Sequence, residues 1–224
     1  EVKCPESGWM VPLLPTMIVS ASKFVVVKLV PNHVNKRYRI DTYYCEDKQE
    51  MESLSSGTVD NGYLVHSPDG INKYRVSIKS IRGDYKEGKE NKNRLRMWEK
   101  DDFIPRTDDI FQERLYCIQW MKKKPSGKQF DYEFRAVTDQ DLAREDTVIE
   151  YVSQHLSRWQ VDGYVSDMVI EKGYNTDQPI RERGWTHWHH LYSPRQILML
   201  ALVHEEIKKQ PNNSAGSWKK REII

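Results

Sequence analysis

The residues able to do chemistry fall into three groups. The first pairs Cys4-Pro5-Glu6-Ser7-Gly8 with His66-Ser67-Pro68-Asp69-Gly70, two turn-forming segments far apart in the chain. In each, a polar or sulfur-bearing residue recurs three positions later and is followed by glycine, the layout of the two knuckles that hold a structural zinc. Tetrahedral zinc takes four soft ligands, and glycine permits the tight turn beneath them. Only Cys4 supplies a thiolate; Ser7 is no substitute for one, and His66 with Asp69 makes an unusual mixed set. Cys4, His66 and Asp69 are the weak metal candidates, and the expectation is a metal-free relic held by packing.

The second group is His187, His189 and His190 in Gly184-Trp185-Thr186-His187-Trp188-His189-His190-Leu191-Tyr192. Clustered imidazoles can ligate a metal, but no cysteine or carboxylate stands at a defined spacing and adjacent side chains diverge. A general base here lacks a nucleophile or oxyanion partner nearby in sequence. The segment reads as a solvated, aromatic-rich loop leading into a helix.

The third group interleaves cations with aromatics: Arg94-Leu95-Arg96-Met97-Trp98-Glu99-Lys100 and Trp120-Met121-Lys122-Lys123-Lys124. Cations neutralise phosphates and release counterions, and an exposed indole stacks on an unpaired base. Arg94, Arg96, Lys122, Lys123 and Lys124 are therefore the expected phosphate contacts, with Trp98 or Trp120 available for stacking. Asp101, Asp102, Asp108 and Asp109 stand close by and cancel part of the field. Core burial is the competing role for both tryptophans. No Gly-rich phosphate loop, no G-x-S-x-G turn and no Asp-Pro-Pro-Tyr or Asn-Pro-Pro-Tyr occurs, so no catalytic residue is assigned.

These groups need a scaffold, and composition bounds it. The 224 residues are 38% hydrophobic and 30% charged, a thin apolar supply for a chain long enough to bury a core. Charge is nearly balanced, with 35 basic and 33 acidic residues, so a nucleic-acid surface has to arise from local segregation. Three widely separated cysteines argue against a disulfide framework and for a reducing cytoplasm. No apolar stretch is long enough to span a bilayer, so no membrane partner is expected. The chain begins at Glu1 without methionine and ends on Ile223 and Ile224 after a basic run, which suggests a piece of a longer chain.

Patterning predicts an α+β fold. Residues 1-83 read as a β-rich meander, with strands at Met17 to Ser20, Lys23 to Val30, Lys36 to Tyr44 and Asn72 to Ser80, and loops at Glu46 to Ser56. Residues 84-137 read as a charged mobile loop followed by strands at Ile110 to Trp120 and Phe130 to Val137. Residues 138-210 read as helical: Thr138 caps a helix carrying Leu142, Ile149, Val152, Leu156 and Trp159, and Ser193-Pro194 opens a second that runs to Lys209. Residues 211-224 read as a disordered tail.

Three blocks together resemble the central part of the zinc-ribbon-containing, SAM-dependent adenine-specific DNA methylases. They are Cys4-Pro5-x-x-Gly8-Trp9-x-Val11-Pro12-Leu13, then Gly57-Thr58 leading to His66 to Gly70, and Gly184-Trp185-x-x-Trp188-x-x-Leu191-Tyr192-Ser193-Pro194-Arg195-Gln196-Ile197-Leu198. The third is the most specific, and Trp188, Pro194, Arg195 and Gln196 are its motif residues. The resemblance implies a parent that moves a methyl group from SAM to the exocyclic amine of a flipped adenine. Its Gly-rich SAM loop would precede this segment and its Pro-Pro-Tyr strand would follow. On that reading the segment holds no cofactor of its own, zinc included. Its partners are DNA and the remaining methyltransferase core, and its work is target contact or core closure. Two other classes are a stand-alone nucleic-acid-binding module and a structural or subunit-contact insert marked by an apolar patch on the final helix.

Overall fold

The computed structural model describes residues 1–125, 127 and 129–209, so the tail expected over 211–224 lies outside the described residues. The fold is α+β, strand-rich in its N-terminal half and helical toward the C-terminus. β1 (Val2–Lys3), β2 (Met10–Val11), β3 (Ile18–Ser20), β4 (Val25–Asn32) and β5 (Arg37–Tyr44) form one sheet in the order β1-β2-β5-β4-β3. Its centre is the long β4–β5 hairpin, paired from Val25↔Tyr44 to Asn32↔Arg37. The Val25-Val26-Val27 run, β-branched and buried, suits a central strand. After α1 (Lys48–Ser53), the strands β6 (Val59–Asp60), β7 (Tyr63–His66) and β8 (Tyr74–Ser77) make an antiparallel meander that ends in α2 (Ile78–Arg82).

Two hairpins follow, β9 (Tyr85–Glu87) with β10 (Glu90–Lys92), and β11 (Ile118–Lys123) with β12 (Phe130–Arg135). The helical part comprises α3 (Asp139–Val161), α4 (Asp177–Arg183), a 3-10 turn at Trp188–Leu191 and α5 (Pro194–Lys209). Thr138 caps α3 as its spacing predicts, accepting from the Asp141 N–H while Asp141 reaches back to the Thr138 N–H, a capping box.

Three small cores replace one large one. Val2, Cys4, Trp9, Val11, Tyr38, Leu64 and Val76 join the first sheet to the meander. Val26, Cys45 and Met51 seat α1. Val152, Leu156 and Trp159 recur along one face of α3 and meet Ile197 and Ala201 of α5, with Phe103 and Val165 closing the cluster. Burying each of these valine, leucine and isoleucine side chains contributes about 1.5–3 kcal/mol. The irregular stretch 93–117 ties the halves together: Phe103 enters the helical core, while Phe111 bridges to Val2 and packs on the first.

Three local expectations are corrected. The stretch read as loop at Glu46 to Ser56 contains α1, because Asp47 Oδ1 accepts from the Glu50 N–H at 2.8 Å, Met51 buries into the core and the Tyr43 hydroxyl donates to Glu50 at 2.7 Å. The supposed mobile loop over 84–96 holds the β9–β10 hairpin, its two-residue connection starting at Gly88 with φ 62°. Alternation from Ile110 produces a continuous ladder only from Ile118 onward: before it there is a single bridge, Phe111 to Val2 of β1, where Ile110 and Phe111 pack on the first core.

Candidate functional site

The two knuckle segments meet in space. The Cys4 carbonyl accepts from the Gly8 N–H at 2.8 Å and the Cys4 N–H donates to the Trp9 carbonyl at 2.7 Å, closing the first turn. Gly8 at φ 74° and Gly70 at φ 73° supply the left-handed step of each. Ser7 Oγ lies 3.1 Å from His66 Nε2, the Tyr38 hydroxyl lies 3.0 Å from His66 Nδ1, and the Tyr74 ring stacks on the imidazole at 5.2 Å. Burial holds the His66 pKa below its ordinary value and pushes the Tyr38 phenol up to about 12. Asp69 is committed to its own turn: it accepts from the Asn72 side-chain amide at 2.6 Å and from the Asn72 and Ile71 N–H groups, which hold its carboxyl at about 2. With both imidazole nitrogens engaged and Asp69 so occupied, this donor set does not fit tetrahedral zinc. Among the described residues no group of three or more His, Cys, Asp or Glu is placed to hold a metal ion.

The histidine block is not the solvated loop that its composition predicts. His189 and His190 are buried in the 3-10 turn, under the segment that carries Trp98. His190 Nδ1 accepts from the Thr186 N–H at 3.1 Å and the His187 N–H at 3.3 Å, which leaves Nε2 to donate to the Glu99 carbonyl at 3.1 Å. Burial, then the neighbouring His189 and His187, drives the His190 pKa down to about 3, so this imidazole is neutral and structural.

The Ser193-Pro194-Arg195-Gln196 stretch that follows builds the start of α5. Pro194 is buried at the first helical position, and Gln196 Oε1 accepts from the Ser193 N–H at 2.9 Å, half of a capping box. Arg195 pairs with Glu145 and so fastens α5 to α3. Trp188 sits half-buried in the turn, its N–H donating to the Met168 carbonyl at 3.1 Å. Beside Arg195 a groove of about 790 Å³ opens between β5 and the helices, lined among others by Arg37, Arg39, Tyr116 and Ile149.

The first basic segment turns inward. Arg96 donates to Asp109 through Nε at 2.8 Å and Nη2 at 2.7 Å, and to Asp102 through Nη1 at 2.5 Å. These bonds, first of all the one to Asp109, raise its pKa. Burial alone would push the Asp102 and Asp109 carboxyls up, but Arg96 and nearby N–H groups outweigh it and hold both below the usual range. Trp98 is only 6% exposed, edge-on to Trp185 at 6.1 Å and against His190 at 5.1 Å. Its N–H donates to the Gly184 carbonyl, and a side chain at Gly184 would collide with the Arg96 carbonyl at 2.1 Å. The expected roles of Arg96 in phosphate contact and Trp98 in base stacking are therefore corrected: one is consumed by carboxylates and the other by the core. Arg94 remains exposed at the edge of this segment.

The second basic segment turns outward on the β11–β12 hairpin. Lys122 and Lys123 are exposed, and Lys124 pairs with Asp131 at 3.2 Å. Trp120 is 45% exposed with the Arg135 guanidinium 4.5 Å from its ring. The hairpin is tied at its base by Tyr44, whose hydroxyl donates to the Phe134 carbonyl at 2.9 Å and accepts from the Phe134 N–H at 2.6 Å. Sequence reasoning passed over Met121, Phe130 and Tyr132, which this hairpin also leaves exposed. For Phe130 and Tyr132, alternation with the charged residues Asp131, Glu133 and Arg135 was the available signal. No protein-family model, no curated protein and no solved structure matches the chain.

Proposed function

We propose that the chain is a segment of a SAM-dependent adenine-specific DNA methyltransferase, docked through α5 on the rest of that enzyme and turning its basic hairpin toward DNA. The observation that carries this reading is the outward side of α5. Met199, Val203 and Ile207 recur four residues apart, Leu200 and Leu202 flank them, and all five are exposed while Ile197 and Ala201 already bury the inner side. A surface helix ordinarily carries charge on its outer face, and an apolar stripe there marks contact with further protein. The block opening the same helix, from Trp188 to Gln196, is the part most similar to the methylases, where it precedes the catalytic Pro-Pro-Tyr strand. α5 is then the element that meets the catalytic half, and SAM is held by the remainder of the enzyme.

DNA contact is supported by the outward lysines of the hairpin, since methyl transfer to adenine requires the base to leave the stack and the surrounding strand to be held. A stand-alone binding module has no use for the α5 stripe. The test is the product of the whole gene, incubated with DNA and SAM carrying a labelled methyl group. Label is expected on adenine, and is expected to be lost when Met199, Val203 and Ile207 are all changed to Asp. A gene lacking the Gly-rich loop and the Pro-Pro-Tyr motif, or a product that leaves adenine unlabelled, contradicts the reading.

A further inference from the structure

The β11–β12 hairpin presents two unlike faces. Directly paired residues share a face, and faces alternate along each strand. Pairing of Trp120 with Glu133 and of Lys122 with Asp131 places both acidic side chains of these strands on the Trp120 face. On the other face Met121 pairs with Tyr132 and Lys123 with Phe130. There Met121 is 64% exposed, Phe130 47% and Tyr132 40%. At the base of this face Phe134 is buried, so the face is anchored at one end and open along the rest. Its only charged residue on the two strands is Lys123.

An antiparallel ladder with an apolar face ordinarily packs that face on a core. Here the aromatic face is left open, and the carboxylates that would repel a polyanion are kept to the opposite side. That segregation favours a ligand with flat apolar surfaces and negative charge. We propose that this face is a stacking platform for unpaired bases of DNA, with Phe130 and Tyr132 as the stacking rings, Met121 across from Tyr132 extending the apolar surface and Lys123, across from Phe130, meeting phosphate. The proposal rests on the reading of the chain as a DNA-contacting part of a methyltransferase. It moves the stacking role away from Trp120, which stands on the acidic face with Arg135 over its ring. Aromatic stacking of this kind is tolerant of sequence, because every base offers a π face.

The test is fluorescence anisotropy of the full chain with a labelled single-stranded oligodeoxynucleotide and with the fully paired duplex of the same sequence, at one salt concentration. The double variant Phe130→Ala/Tyr132→Ala is expected to bind the single strand roughly tenfold or more weakly while duplex binding stays within about twofold. Tyr132→Phe, which keeps the ring, is expected to retain single-strand affinity. Should the double variant fail to fold, each single alanine variant is expected to show a single-strand loss of about threefold or more. A double variant that binds the single strand like the parent, with duplex binding intact, overturns the platform and leaves DNA contact standing. Parent protein that binds neither probe removes the DNA reading itself, and the platform with it.

Discussion

Residues 94–100 and residues 120–124 each set one tryptophan among several cations, yet the first segment buries Trp98 and the second leaves Trp120 and its lysines facing out. The difference lies in what stands opposite. Arg96 finds Asp102 and Asp109 at hydrogen-bond distance, and the backbone around Trp98 is taken up by Gly184 and by the Thr186 hydroxyl, which donates to the Trp98 carbonyl at 2.5 Å. Lys123 stands on the face of its hairpin away from both carboxylates, and although Lys122 stands across from Asp131, that carboxylate pairs with Lys124 instead. A basic and aromatic run thus becomes structure or surface according to the acids that fold onto it, which composition alone does not reveal.

The largest expected break in this comparison is in stability. Trp98→Ala is expected to cost about 3–5 kcal/mol, because it empties a site packed by Trp185 and His190. Trp120→Ala is expected to cost less than about 1 kcal/mol, as for a half-exposed side chain. Urea unfolding of the two variants measures both; equal costs would mean that the two segments are not the opposites described.

A smaller effect concerns pH and the wall behind Trp98. The His190 pKa is about 3 in the folded protein, against an ordinary value near 6.5 in the unfolded chain. Between those values the unfolded chain binds the extra proton and the folded one does not. Stability is therefore full above about pH 6.5 and declines as pH falls toward 3. His66, His187 and His189, also lowered by burial, act in the same direction. Imidazole resonances followed by NMR are expected to show His190 still neutral at pH 5. Titration near 6.5 would place it in solvent and undo the packing assigned to Trp98.

Much of this was legible in the sequence, and the failures have physical causes. The capped start of α3, the Ser193-Pro194 start of α5 and the β4–β5 hairpin follow from local signals: a cap, a proline at the first helical position, a run of valines. The pairing of the Ser7 and His66 segments was legible from their turn chemistry, but not the Tyr38 hydroxyl and Tyr74 ring that complete the His66 environment. Those partners arrive from β5 and β8 and depend on tertiary packing. The burial of His189 and His190 was hidden for the same reason, since the carbonyl that receives the His190 proton belongs to Glu99, far away in sequence. Phe130 and Tyr132 were in view as strand residues, but their shared open face appears only once the register with Lys123 and Met121 is fixed.

The most direct test of the outward hairpin as the phosphate-contacting surface is the salt dependence of DNA affinity. The slope of log affinity against log salt is to be measured for the parent chain and for the triple variant Lys122→Ala/Lys123→Ala/Lys124→Ala, with the fold of each checked by circular dichroism. Removal of these three cations is expected to lower the slope by about 2–3. An unchanged slope in a folded triple variant would contradict the account and leave the segment as a purely structural insert.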